Sequence, residues 1–170
     1  MKYFEDIDRA LKRGDISGVK KIIEKQMNAL SFSKFLKLSR KYFEKGEYPS
    51  SFTIMKTCKE VCEKKKLLFP PEGEIMLCRI YQEMGLWRNA ELSLKRAELK
   101  AGERPEILGS IYFNRARISQ MREKFKRSLQ LYKESIKHFK NSEKSRMIGR
   151  CYLNMALIPQ KNPAIPFLYF

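Results

Sequence analysis

Between residues 35 and 135 the chain repeats one pattern three times, with a step of 38 to 39 residues. Gly46, Tyr48, Ser51, Met55 and Cys58 return as Gly85, Trp87, Ala90, Leu94 and Ala97. They return again as Glu123, Phe125, Ser128, Tyr132 and Ser135, with only the glycine lost. A fixed period of this size means stacked supersecondary units, each too small to bury its apolar face alone. Such stacks offer extended surfaces for holding other molecules rather than closed pockets for chemistry.

Within each copy the apolar residues follow a helical period, and no stretch alternates as a strand does. Tyr3, Phe4, Ile7, Ala10 and Leu11 share one face of a first helix. Gly14 stops it and Asp15 is placed to cap a second, marked by Ile16, Val19, Ile22, Ile23 and Met27. Ser31 or Ser33 opens a third helix that Gly46 closes, and a fourth spans about Pro49 to Lys66, with its proline in the first turn. Phe69-Pro70-Pro71 interrupts the chain, and two helices split at Gly85-Leu86 follow. Pro105 starts a long helix to about Glu123, a further one spans Phe125 to Lys140, and Asn141-Ser142 caps a ninth that ends near Ile158-Pro159. The prediction is all-α, built from helix–turn–helix pairs.

These residues resemble the tetratricopeptide repeat (TPR) family. Its signature sets an apolar, a small and a tyrosine residue on the first helix, then Gly, an aromatic, Ala, a bulky residue and a second Ala. The middle copy matches best, through Cys78, Tyr81, Gly85, Trp87, Ala90, Leu94, Ala97 and the following Pro105. The copy before it supplies Phe35, Ser39, Tyr42, Gly46, Tyr48, Ser51, Met55 and Cys58. The third has Tyr112, Ala116, Phe125, Ser128, Tyr132 and Ser135, but Ser119 and Glu123 where Tyr and Gly are usual. The period exceeds the family's 34 residues, which implies longer helices or loops.

The resemblance implies a right-handed superhelical solenoid of antiparallel helix pairs, about nine helices in all. Residues 1–30 form a TPR-like pair, 32–66, 71–102 and 106–140 the three repeats, and 143–158 an unpaired last helix. In this family the first helices line a concave groove. One residue past the small slot, a groove position, stand Arg40, Arg79 and Arg117. Leu36, Ile75 and Phe113 lie four residues before them, and Phe43, Gln82 and Gln120 three after. Guanidinium forks flanked by apolar and amide side chains suit an extended acidic segment. A plainer alternative pairs Arg40 with Glu44 and Arg79 with Glu83 within their helices, each worth roughly a few tenths of a kcal/mol. The chaperone-tail branch of the family uses a Lys and Asn clamp; Leu36 and Arg40 stand in its opening slots and Asn114 alone matches, so that activity is not implied.

Charge is uneven. The chain carries 36 basic and 19 acidic residues, net +17. Residues 69–104 balance at six of each sign, whereas 105–170 hold thirteen basic against four acidic. Such asymmetry points to an acidic or polyanionic partner, or to a solvated lysine-rich surface. Lys126, Lys133, Lys137 and Lys140 form a stripe on one helix face, flanked by Arg122, Lys124 and Arg127. That stripe could track a phosphate backbone or an anionic membrane surface, and its ordinary alternative is the wet face of an amphipathic helix. The Lys64-Lys65-Lys66 run reads as a helix end favouring its own dipole.

The four cysteines do not make a zinc site: Cys58 and Cys62 share a face, but no second pair exists at ligand spacing and His138 is the sole histidine. Cys58, Cys78 and Cys151 fall in small-residue slots, and free buried thiols suit a reducing compartment. Acidic residues interrupt any leader pattern, and no apolar run approaches the roughly 20 residues that span a bilayer. A cytoplasmic location is expected. Residues 159–170 form an apolar, proline-containing tail, expected to cap the ninth helix, to mediate self-association, or to mark where a longer array is cut. No nucleophile–base pair, phosphate loop or paired carboxylates stand out, and no cofactor or metal is expected. The expectation is a non-enzymatic scaffold or adaptor that holds an acidic or extended peptide in its groove. The alternative is a basic helical-repeat protein that binds RNA or another polyanion.

Overall fold

A computed structural model of the chain describes residues 2–28 and 30–161. Among the described residues there are nine helices and no strand: α1 Lys2–Lys12, α2 Ile16–Gln26, α3 Phe32–Glu44, α4 Tyr48–Lys64, α5 Pro71–Glu83, α6 Trp87–Leu99, α7 Pro105–Met121, α8 Phe125–Asn141 and α9 Ser145–Lys161. The fold is all-α. It divides into two compact units after Ala90, inside α6.

One backbone closure recurs along the chain. The residue after each turn folds its N–H back to a carbonyl five positions earlier: Asp15 to Ala10 (2.9 Å), Glu47 to Tyr42 (3.0 Å), Leu86 to Tyr81 (2.8 Å) and Lys124 to Ser119 (2.8 Å). The residue between them is left-handed, with φ of +70° at Gly14, +78° at Gly46, +71° at Gly85 and +58° at Glu123. This six-to-one closure satisfies the last carbonyls of a helix and reverses the chain at once. Two further helices end the same way. Leu67 bonds back to Cys62 (2.8 Å) past Lys66, and Lys144 to Phe139 (3.0 Å) past Glu143.

These closures explain two boundary shifts, and a proline explains a third. α4 stops at Lys64 rather than Lys66 because Lys66 takes the left-handed position. Ser142 does not cap α9, since residues 142–144 are used to close α8 and the next helix begins at Ser145. α9 runs to Lys161, past the expected stop at Pro159, because proline's fixed φ near −65° is itself helical and costs one backbone bond. The tail expected from residue 159 thus starts on helical backbone, and residues 162–170 lie outside the described residues. At α2, Asp15 Oδ1 accepts from the Gly18 N–H at 2.7 Å, the cap the sequence predicts. Ser31 precedes α3, but its Oγ accepts from the Asn28 N–H (2.8 Å) instead of capping the helix.

In the first unit α1 packs on α2 and α3 on α4, while α2 meets α4 and α3 meets α5. The core is Ile7, Val19, Ile23, Phe35, Ile54, Met55, Cys58 and Ile80, all fully buried. Small residues set the spacing within pairs. Ser39 and Ser51 hydroxyls lie 2.8 Å apart, and Ser51 Oγ donates to the Ser39 carbonyl at 2.9 Å. Beneath α4 and α5, Lys59 Nζ reaches the fully buried Glu74 carboxylate at 2.9 Å and sits 5.9 Å from the Phe69 ring centroid.

Two of the three lysines at the end of α4 serve a neighbour. Lys65 Nζ donates to the Glu24 and Met27 carbonyls (2.5 and 3.1 Å) at the end of α2, and Lys64 pairs with the Glu24 carboxylate. The run therefore complements the C-terminal dipole of α2 rather than only that of its own helix.

In the second unit α8 packs on α7 and on α9. Phe113, Ala116, Tyr132, Phe139, Cys151, Met155 and Ile158 form its core. Ser128 Oγ donates to the Ala116 carbonyl (2.9 Å), repeating the Ser51–Ser39 contact, and Ser135 Oγ donates to the Gly109 carbonyl (2.8 Å). Gly109 has no room for a side chain, since a Cβ there would stand 2.7 Å from the Phe139 ring.

Three stability changes follow, readable by urea unfolding. Glu123→Gly relieves a left-handed L-residue and should stabilise by about 0.5–1 kcal/mol after the unfolded-state entropy of glycine is deducted. Gly109→Ala should cost about 1–3 kcal/mol by overpacking against Phe139. Lys59→Met leaves the buried Glu74 carboxylate without its lysine and should cost about 3 kcal/mol, most of it recovered in Lys59→Met/Glu74→Leu.

Candidate functional site

The position of each ladder arginine follows from the packing of its small neighbour. Ser39 faces α4, so Arg40, a further 100° round α3, turns outward. Arg40 is exposed, and among the described residues it forms no ion pair with Glu44. Arg79, half-buried on α5, places its guanidinium 4.4 Å from the centroid of the Phe43 ring on α3. Phe43 is backed in turn by Tyr48, with centroids 5.2 Å apart. A guanidinium over an aromatic face contributes roughly 0.5–1 kcal/mol. The structure therefore brings Phe43 and Arg79 together on adjacent first helices, with Ile75 half-buried on α5 and Leu36 buried on α3.

The amides expected beside the arginines are turned inward. Gln82 is buried and donates to Cys78 Sγ at 3.3 Å, and Gln120 is buried and accepts from the Tyr132 hydroxyl at 3.0 Å. Phe113 is buried with its ring against Tyr132 (centroids 5.7 Å), and the Arg150 guanidinium of α9 covers it at 5.4 Å. Arg117 is half-buried on α7. Burial pushes the Tyr132 phenol above its ordinary pKa, and the Arg117 charge opposes that rise.

One member of this row escaped the sequence reading. Asp8 stands six residues before Gly14, as Arg40 stands before Gly46 and Arg79 before Gly85. It accepts from the Tyr42 hydroxyl at 2.6 Å and pairs with Lys12 at 2.7 Å. Lys12 and then Tyr42 hold its carboxyl below the usual range. Burial and the Asp8 bond push the Tyr42 phenol up. These groups border a cavity of about 520 Å³ between α1 and α3, edged also by Lys41 and Lys45. Spacing back from the turn glycine was the signal that could have found it.

On α8, Lys126, Lys133, Lys137 and Lys140 are all exposed, whereas Leu129, Tyr132, Ile136 and Phe139 of the same helix are buried. Lys137 pairs with Glu134 at 2.6 Å. The other three have no carboxylate partner among the described residues. His138, on the same helix, stacks on Tyr112 of α7 with centroids 5.3 Å apart and planes 10° from parallel.

All four cysteines are free and buried, and desolvation raises the thiols of Cys58 and Cys151. Among the described residues no group of three His, Cys, Asp or Glu is placed to hold a metal ion, and no helix is long and apolar enough to cross a membrane. No protein-family model, curated protein or solved structure matches this chain.

Proposed function

We propose that the chain is a non-enzymatic interaction scaffold of the TPR type, its helix pairs continuing as a right-handed superhelical solenoid, and that it holds an extended acidic peptide along its first helices. The observation that carries this reading is the α3–α5 face, where the exposed Arg40 shares α3 with Phe43 and the Arg79 guanidinium of α5 lies 4.4 Å from the centroid of that ring. A planar fork held on a ring loses less side-chain freedom when it takes a carboxylate than a free arginine does. Arg40 supplies a second cation one repeat earlier. The recurrence of the small-residue contact at Ser39–Ser51 and Ala116–Ser128 supports repetition of one unit. Buried free thiols suit a reducing, cytoplasmic setting.

A second reading, RNA or another polyanion on α8, is favoured by the uncommitted Lys126, Lys133 and Lys140. Anisotropy of a labelled glutamate-rich peptide separates the two. Arg40→Ala/Arg79→Ala should weaken binding at least about tenfold, as loss of two charge-assisted contacts requires, with the thermal midpoint unchanged. The salt dependence should be shallow, about two counterions, whereas a lysine track predicts a steeper log–log slope. Unchanged peptide affinity in that double variant rejects the first-helix face.

A further inference from the structure

The second unit contains a cleft that uses none of the groove arginines. It has a volume of about 370 Å³ and lies where α6, α7 and the start of α8 meet. Lys95 lines it from α6, Arg115 and Arg122 from α7 and the residue after it, and Lys124 and Arg127 from the start of α8. Leu94 and Ile118, both buried, form an apolar floor. Ser119 also lines the cleft; it is 7% exposed, and its hydroxyl has no hydrogen-bond partner among the described residues.

Five cations thus border one concavity whose only lining carboxylate is Glu91. Glu91 accepts from Arg122 at 3.0 Å, and Glu98 takes Arg115 through two bonds of 2.8 and 2.6 Å. Those carboxylates do more than neutralise. They fix two guanidinium groups as part of the wall, leaving an excess of three charges on Lys95, Lys124 and Arg127. None of these three has a carboxylate partner among the described residues. The first turn of α8, a 17-residue helix, opens onto the same place and adds its partial positive charge. Like charges held this close repel one another unless an anion sits between them.

We infer that this cleft binds a compact ligand carrying two or more phosphate groups. A monoanion leaves most of the excess uncompensated, while a linear oligophosphate brings charge to match and oxygens for the Arg127 fork and the Ser119 hydroxyl. The volume is that of a small-molecule site. An extended nucleic-acid strand would instead run out over the α8 lysines, which lie on the solvated face of that helix.

Titration calorimetry of the full chain with inorganic tripolyphosphate tests this, with orthophosphate, a single-stranded RNA and two triple variants as further arms. One tripolyphosphate should bind per chain, more tightly than orthophosphate. Lys95→Ala/Lys124→Ala/Arg127→Ala should lose at least about tenfold in affinity, and Lys126→Ala/Lys133→Ala/Lys140→Ala should stay within about threefold. Arg127→Lys, which keeps the charge and the fold but removes the fork, should lose several-fold by the bidentate argument. Several ions per chain, equal losses in both triple variants, or no saturable binding overturns the inference. So does RNA binding tighter than tripolyphosphate that depends on both sets of residues. Because Arg40 and Arg79 take no part, the acidic-peptide reading and this one fail separately.

Discussion

Close approach of the two helices in each pair is the contact on which the rest depends. It is made by residues twelve apart: Ser39 with Ser51 and Ala116 with Ser128, while Cys78 and Ala90 at the equivalent places are both fully buried. Only a small side chain lets two backbones come this near, and where that side chain is serine it is satisfied by a carbonyl of the facing helix. The contact fixes which way each helix is rotated. Once Ser39 must face α4, Arg40 has to face away from it, and the helical period assigns every other position on α3 in turn. A row of outward residues is thus a consequence of packing, and its chemistry is left to selection.

Much of the architecture could be read from residue types because this contact and the turn after it demand particular ones. Small residues, a turn glycine and an aromatic beyond it leave a mark that survives without any relative for comparison. The helices α1 to α8 appear within a few residues of expectation. Apart from the run of α9 through Pro159, the ends differ because the six-to-one closure absorbs three residues after a helix, and it does so at Lys66, Glu123 and Glu143, where no glycine announces it. A left-handed turn held by tertiary packing has no necessary residue signature.

Side-chain partners across helices were far less legible. Helical spacing placed Gln82, Gln120 and Phe113 beside the arginines but could not say that two amides bond inside the fold or that Arg150 covers the phenylalanine. The Lys64-Lys65 pair looked like a helix end and turns out to cap α2, forty residues away in sequence. Lys95 was hidden by averaging, because the segment around it is neutral overall, although two carboxylates of that segment, Glu98 and Glu91, are committed to Arg115 and Arg122. Net charge over a window reports composition; what a ligand meets is the charge left after internal pairs are formed.

That distinction separates the two halves of the basic surface. In the first unit three lysines find carboxylates from other helices, in Lys59–Glu74, Lys20–Glu60 and Lys64–Glu24. These pairs cross between helices and so act as part of the packing. From residue 105 onward there are thirteen basic residues and only four acidic ones, so most cations there cannot be neutralised from within. An uncompensated charge is tolerated only where water reaches it, and Lys126, Lys133 and Lys140 on α8 and Lys95, Lys124 and Arg127 around the cleft between α6, α7 and α8 are all exposed. On the open face, water and salt screen each lysine separately. In the cleft the apolar floor of Leu94 and Ile118 thins that screening and the charges feel one another. The same excess is screened residue by residue on a helix surface and is concentrated where the fold makes it concave.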